Sequence, residues 1–150
     1  MDDLARLLAE RACLRLMTGY CTHLDAWEVD TFLELFIPDG VWRRTAPRPT
    51  IDLAGREAIR AFFHKRPTHS LSRHLILNPV VDILDADTAR GVCVGLVVRG
   101  DATGTLPVPM RGVELIVEYR HRFVRTAEGW RIAEIEMDRL IDVEAKPKEA

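Results

Sequence analysis

The sequence has few cysteines, no long apolar run and almost no net charge, and each shortage narrows the class of protein. Three cysteines among 150 residues, without paired spacing, argue against a disulfide framework and predict reduced thiols in a cytoplasmic protein. No apolar segment approaches the roughly 18 residues that a membrane span needs, and the acidic start is unlike a secretory signal. A formal net charge of -2 gives no support for binding nucleic acid or an anionic membrane.

Common cofactor motifs are also missing. No glycine-rich loop has the spacing of a phosphate cradle, and no Gly-x-Ser-x-Gly nucleophile elbow is present. The histidines are not accompanied by cysteines or carboxylates at metal-ligand spacing. The sequence therefore predicts neither a metal ion nor another cofactor.

The length suits one domain, which we place at residues 1–142, and we expect the charged segment 143–150 to be a mobile tail. Apolar residues recur at three- and four-residue steps from Leu4 to Leu24, which predicts a helix over about 3–25. A short second helix is expected from about residue 30 to Phe36. A third follows Gly55 and ends at Pro67.

The second half of the chain is typical of strands, expected over residues 72–84, 89–99, 111–125 and 130–140. Before them, residues 38–40 predict a turn, a strand begins at Val41, and the proline-containing stretch 43–52 predicts a loop. Helices followed by strands indicate an α+β domain. We expect the helices to cover the concave face of a curved, mainly antiparallel sheet.

Polar residues fall on two faces that are otherwise apolar. Asp25 lies four residues after Cys21 and continues the buried stripe of the first helix; a helix end that reaches water is the alternative. His74 shares one strand face with Ile76 and Asn78, which predicts a polar patch inside a cavity. A core histidine bonded to a main-chain carbonyl is the alternative there.

A third polar residue, His121, alternates with charged neighbours and so lies on the apolar face of its strand. Tyr20, on the stripe of the first helix, is a potential donor into the same space; an ordinary aromatic core residue is the alternative. The substrate-contacting residues are predicted to be His121, Trp42, Phe62, Ile76, Asn78, Tyr119 and Phe123.

Four segments together resemble the SnoaL-like branch of the nuclear-transport-factor-2-like (NTF2-like) superfamily, over residues 4–140. They are YCTHLD at 20–25, LFIPDG at 35–40, SRHLILN at 72–78, and YRHRFVR at 119–125 followed by GWRI at 129–132. The resemblance implies the cone-shaped NTF2-like fold, a cystatin-like α+β roll. It also implies self-association as a homodimer or homotrimer.

Within that superfamily the chain is similar to scytalone dehydratase, bile-acid 7α-dehydratase and the lindane dehydrochlorinase. These use an aspartate at the end of the first helix and a histidine on a strand as a catalytic dyad. The matching positions are Asp25 and His74, and Tyr20 matches a tyrosine that is catalytic or binding in some members. One departure is Ile135, which stands where several members have an arginine.

The resemblance implies a lyase or isomerase that acts without a cofactor on a small, apolar, cyclic substrate. Dehydration, ketosteroid-type isomerisation and polyketide-type cyclisation all use such a dyad as a general base. Two other functions use the same fold: a non-catalytic protein that binds small molecules, and the small subunit of a ring-hydroxylating oxygenase. A dyad that opens onto an accessible cavity would favour the enzyme.

Overall fold

Helices come first along the chain and long strands follow. The computed structural model describes residues 1–46, 49–65, 70–101 and 105–142, so the tail predicted at 143–150 lies outside the described residues. The elements are α1 (Asp3–Asp25), α2 (Val29–Glu34), β1 (Phe36–Ala46), β2 (Ile51–Ala54), α3 (Arg56–Phe63), β3 (Ser70–Ile83), β4 (Thr88–Asp101), β5 (Met110–Thr126) and β6 (Gly129–Asp142).

The strands form one curled six-stranded sheet in the order β2-β1-β6-β5-β4-β3. Every neighbouring pair is antiparallel except β1 and β6, which are parallel. The α+β class, the mainly antiparallel sheet and the helices on its concave face are therefore confirmed. On β5 the odd-numbered residues from Leu115 to Phe123 are buried, as the alternation predicted.

Helix α1 has the predicted bounds, and Asp2 caps it by accepting a 2.7 Å hydrogen bond from the main chain of Ala5. Its apolar stripe is buried only from Ala9 onward. Leu4, which the periodicity placed on the buried stripe, is 67% exposed. None of the helices in the described ranges is both long and apolar enough to cross a membrane.

The region between α2 and α3 contains more strand than the sequence indicated. β1 already begins at Phe36, and the turn expected at 38–40 is a register shift within it, between Phe36 and Val41. The expected loop at 43–52 continues β1 to Ala46 and then forms β2. Pairing with β6 and β2 supplies partners for this backbone, and an irregular strand tolerates the proline at 38.

The core lies between the helices and the concave face. It is rich in aromatic side chains that meet at their edges: the ring centroid of Tyr20 lies 5.2 Å from that of Phe32 and 5.6 Å from that of Tyr119. α1 packs along β3, the edge strand. This packing brings the last residue of α1 beside the first part of β3, at Ser72 and His74.

Candidate active site

Asp25 and His74, distant in sequence, are in direct contact. Asp25 is the last residue of α1, and its Oδ1 lies 2.5 Å from His74 Nδ1. Its other oxygen accepts the main-chain N–H of His74 at 2.7 Å, and the Ser72 hydroxyl donates to Oδ1 at 3.1 Å. The side chains of His74 and Asp25 are only 6% and 10% exposed. This buried carboxylate is thus satisfied by three donors on β3.

The electrostatics fix the charge of Asp25. Burial by itself raises the pKa of the carboxyl group, but hydrogen bonds from His74 and Ser72 and attraction to the His74 ring outweigh it and lower the pKa. The carboxylate is therefore ionised at neutral pH. An ionised carboxylate only accepts hydrogen bonds, so Nδ1 of His74 carries the proton and Nε2 is the basic nitrogen.

The dyad opens onto a cavity of about 570 Å³, called here the outer cavity. Its lining consists of Thr18, Cys21, Thr22, Asp25, Ala26, Arg73, His74 and Ile76. The hydroxyls of Thr18 and Thr22 donate back to carbonyls of α1. Burial, with the charge of Asp25 adding to it, raises the pKa of Cys21, so its thiol stays protonated. His74 is accordingly the imidazole base that faces this space, beside the guanidinium group of Arg73.

His74 also lines a second, inner cavity of about 90 Å³ between α1, α3 and the sheet. Tyr20 faces it from α1, and its hydroxyl accepts a 2.9 Å hydrogen bond from Trp42 Nε1. The full lining is Tyr20, Leu24, Trp42, Arg44, Phe62, Phe63, His74, Val97, Arg99, Leu115, Val117, Tyr119, Met137 and Arg139. The His74 imidazole therefore lies between the larger outer cavity and the smaller inner cavity with its aromatic walls.

Several of the predicted site residues come together here. Tyr20, Trp42, Phe62 and Tyr119 line the inner cavity with His74, and Ile76 lines the outer one. The rings of Trp42 and Phe62 pack in a tilted arrangement, with their centroids 5.5 Å apart. The walls combine a large apolar area with the Tyr20 hydroxyl as a polar handle.

Three other predicted residues lie elsewhere. His121 and Phe123 are buried but line neither cavity; their rings stack in parallel, 5.5 Å apart. They lie further along β5, where the Met17 side chain of α1 packs over the sheet near Gly91. Asn78 is exposed, with φ of 50° at the register shift between Leu77 and Val80, so the alternation from His74 does not carry to it.

The sequence reasoning did not identify three arginines of the inner cavity, Arg44, Arg99 and Arg139, or the role of Ser72 beside Asp25. A signal for the arginines was present: each stands two residues after a cavity-facing apolar residue, and strand alternation puts both on one face. Within the described ranges no three His, Cys, Asp or Glu side chains cluster as metal ligands would.

Helices on the concave face of a curled, mixed sheet are the architecture of NTF2-like proteins with a cystatin-like fold. Comparison with family models gives the family: the SnoaL-like domain model matches residues 5–136. The chain belongs to the SnoaL-like domain family. Comparison with curated proteins gave no match.

Solved structures share the architecture. An NTF2-like protein with a cystatin-like fold from Novosphingobium aromaticivorans is 27% identical, with a TM-score of 0.73 over 93% of this chain and 92% of that one. A candidate scytalone dehydratase from the same organism is 22% identical, with a TM-score of 0.77 over 97% and 93%. ActVI-ORFA from Streptomyces coelicolor is 15% identical, with a TM-score of 0.71 over 85% and 94%.

Proposed function

We propose that the protein is a lyase or isomerase in which His74 removes a proton from a small, apolar, cyclic substrate. The observation that carries the proposal is the contact between Asp25 and His74 at the junction of two cavities. A base held in one tautomer, next to space for a substrate, has the geometry that general-base catalysis needs.

Each neighbouring group has a role in this mechanism. His74 Nε2 takes a proton from a carbon next to a carbonyl or leaving group. Asp25 holds the ring in place and stabilises the imidazolium that forms, because the ionised carboxylate is 2.5 Å from Nδ1. Tyr20 lines the same cavity and donates its hydroxyl proton to the developing oxyanion while it accepts from Trp42. The aromatic walls favour a cyclic, apolar substrate.

The accessible outer cavity favours an enzyme over a purely structural role for the pair. A dyad sealed in a packed core would have supported a non-catalytic binding protein or an oxygenase subunit. The fold shared with a candidate scytalone dehydratase is compatible with this reaction class. Dehydration, isomerisation and cyclisation are the three reactions that an assay has to distinguish.

The test measures proton exchange at the substrate carbon instead of the formation of a product. Deuterium exchange at the α-carbon of a panel of cyclic ketones, such as cyclohexenone and tetralone, is measured by NMR in D2O. Wild-type protein is expected to accelerate exchange, and His74→Ala to reduce the catalysed rate by roughly 10²–10⁴-fold. Asp25→Asn is expected to lose most of the rate, with Asp25→Asn/His74→Ala little worse than His74→Ala, because the two residues act as a unit.

A matched control exists on the same helix. His23 pairs with Glu28 through a 2.7 Å contact, so it is a second histidine–carboxylate pair, away from both cavities. His23→Ala is expected to leave exchange unchanged. Multiplicative losses in the double variant would contradict a dyad, and an inactive wild-type protein that binds the ketones would favour the binding function.

Self-association as a homodimer or homotrimer is part of the proposal. An apolar patch on the convex face of the sheet supports it: Leu75 and Leu77 on β3, Val94 and Leu96 on β4, and Ile116 on β5. In register, Leu75 lies opposite Leu96, which lies opposite Ile116, and Leu77 lies opposite Val94. Leu75 and Leu77 are 44% and 40% exposed. Contiguous apolar surface of this kind is typical of an interface.

A further inference from the structure

We infer that Ser72 is a positioning residue of the dyad, whose hydroxyl holds the Asp25 carboxylate against the His74 ring. This inference rests on the proposed function, because it adds a residue to the same site. It starts from the hydrogen bond that the Ser72 hydroxyl donates to Asp25 Oδ1, with 3.1 Å between the two oxygens. Ser72 is only 5% exposed, so water does not readily replace this donor.

The position of Asp25 makes its hydrogen-bond donors important. Asp25 is the last residue of α1, where the carbonyl ends of the helix already place partial negative charge. Burial disfavours the ionised carboxylate as well. The groups that offset these two costs are His74 and Ser72, both on β3. Loss of either donor is therefore expected to change the state of the carboxylate.

The three hydrogen bonds to Asp25 come from two residues. His74 makes two of them: its main-chain N–H donates to Oδ2 at 2.7 Å, and its ring nitrogen Nδ1 lies 2.5 Å from Oδ1. These two bonds tie the carboxylate to a residue whose ring can turn about its own side-chain bonds. Ser72 supplies the third bond from another point of the strand, about 7 Å before His74. With this bond in place, the carboxylate keeps its orientation when the ring moves.

The neighbouring charged groups leave the Ser72 hydroxyl to Asp25. Arg99 lies opposite Ser72 in the β3–β4 register and pairs with Glu114 at 3.0 Å. The guanidinium group of Arg73 donates to the main-chain carbonyl of Ser72 at 2.6 Å. Neither contact uses the hydroxyl, so its proton is directed to the carboxylate.

The bond from Ser72 also affects where the proton between Asp25 and His74 lies. Oδ1 faces His74 Nδ1 and accepts from Ser72 at the same time. A second donor at one oxygen stabilises the negative charge and makes that oxygen a weaker base. When Nε2 takes a proton from the substrate carbon, the ring becomes an imidazolium, and the proton on Nδ1 stays there instead of moving to Asp25. The ion pair that the mechanism needs is thus preserved.

Two readouts test this role, one on the carboxylate and one on the reaction. The first is the titration of the Asp25 carboxyl carbon, followed by NMR in protein without substrate. Ser72→Ala is expected to raise the pKa of Asp25, because one stabilising donor is lost. The second is deuterium exchange of the ketones, in which kcat is expected to fall by roughly 5–30-fold while KM stays within about 2-fold.

Conservative variants separate the hydroxyl from the volume of the side chain. Ser72→Thr keeps the hydroxyl on a residue type that strands favour, and is expected to retain the Asp25 titration and the exchange rate of wild type. Ser72→Cys has nearly the size of serine but a weak donor, and is expected to behave like Ser72→Ala. If Ser72→Ala does not fold, the comparison of Ser72→Cys with Ser72→Thr gives the same answer.

A matched control removes another hydroxyl that donates to an aspartate. Thr45 on β1 donates to Asp138, and neither residue lines the outer or the inner cavity. Thr45→Ala is expected to raise the pKa of Asp138, because this hydrogen bond lowers it in the wild-type protein. The Asp25 titration and the exchange rate are expected to stay unchanged in this variant.

The outcomes separate this inference from the proposed function. If wild-type protein exchanges no ketone proton, the reaction is rejected, and a raised Asp25 pKa in Ser72→Ala still supports Ser72 as the residue that fixes the carboxylate. If wild-type protein exchanges protons and Ser72→Ala equals it in either readout, the inference is overturned and the base remains. Equal losses in Ser72→Ala and Ser72→Thr would also overturn it, since the hydroxyl would then not be the cause.

Discussion

At the scale of single residues, His121 is a titratable group that the fold removes almost completely from water. The ring is 4% exposed, and neither nitrogen makes a hydrogen bond of standard geometry with the described residues. Burial lowers its pKa to about 4, and the main chain of Gly91 offsets this only in part. The folded protein therefore holds His121 neutral under conditions in which the unfolded chain protonates it.

The difference in the pKa of His121 between the folded protein and the unfolded chain predicts that acid lowers the free energy of unfolding. Between about pH 4 and pH 6.5 the unfolded chain binds the proton and the folded protein does not, so the free energy of unfolding rises with pH. The expected loss on acidification across that range is about 3 kcal/mol. His121→Leu removes this contribution. Urea unfolding near pH 7 and near pH 4 is the measurement.

Comparison of wild type with His121→Leu separates the contribution of His121 from that of Asp25. Asp25 has a lowered pKa, so its stabilising contribution is lost only at more acidic pH and does not overlap with the upper part of this interval. If wild type and His121→Leu lost the same free energy between the two pH values, the neutral buried imidazole would be the wrong explanation.

The residue scale also shows where sequence reasoning succeeds and where it fails. The buried side of His121 followed from alternation alone. The partnership of Asp25 with His74 came from family motifs, because nothing local links residues so far apart in sequence. Asn78 was misplaced by alternation, since a register shift between Leu77 and Val80 interrupts the strand. A bulge of this kind is set by pairing with β4, which a single strand's sequence does not record.

At the scale of elements, a glycine in α1 and a glycine in β4 are expected to respond to substitution in opposite ways. Gly19 lies inside α1, where an added Cβ would meet the side chain of Leu35 at an ordinary 3.6 Å. Gly95 lies on β4, where an added Cβ would come 2.5 Å from the Tyr119 ring and 2.7 Å from Val117. Gly19 lowers the helix propensity of α1, whereas Gly95 leaves room for the Tyr119 ring that lines the inner cavity.

Alanine substitutions at these two positions are expected to differ in sign. Gly19→Ala should stabilise the protein by about 0.5–1 kcal/mol through helix propensity. Gly95→Ala should destabilise it by about 1–3 kcal/mol, because Tyr119 has to move. Chemical unfolding of both variants under one condition is the check. Equal shifts in the same direction would mean that the close approach at Gly95 does not matter.

Element boundaries were predictable where a periodicity is long. α1 and the last four strands follow their patterns closely. β1 and β2 were missed in part, because residues 36–54 contain prolines, a glycine and no sustained alternation. These two strands exist through pairing with β6 and with each other. Tertiary partners, rather than local propensity, decide that part of the chain.

At the scale of the whole molecule, the convex face is divided into two halves. Over β1, β6 and β5 it carries ion pairs; Arg43 contacts Glu134 at 2.6 Å, and Arg120 contacts both Glu136 and Asp138 at 2.6 Å. The apolar patch lies over β3 and β4 and extends to Ile116 on β5. An interface that uses the apolar patch would have the charged half as its border.

The apolar patch makes a prediction about assembly. Leu75→Lys/Leu77→Lys is expected to shift the protein from dimer or trimer to monomer, because two charges would be buried without partners. Sedimentation velocity measures the change. Leu84→Lys serves as the control, since Leu84 is 57% exposed but lies beyond the end of β3. A monomeric wild-type protein would refute the interface.

β3 is an outer strand of the sheet, and such strands present unpaired N–H groups to any other chain that arrives. The main-chain N–H of His74 is taken by the Asp25 carboxylate instead. The carboxylate that contacts the His74 ring therefore also caps the open edge at that point. Under the proposed function, an acceptor at residue 25 would serve both proton transfer and protection of the sheet edge against strand-to-strand aggregation, so a variant without the reaction would still have a structural use for it.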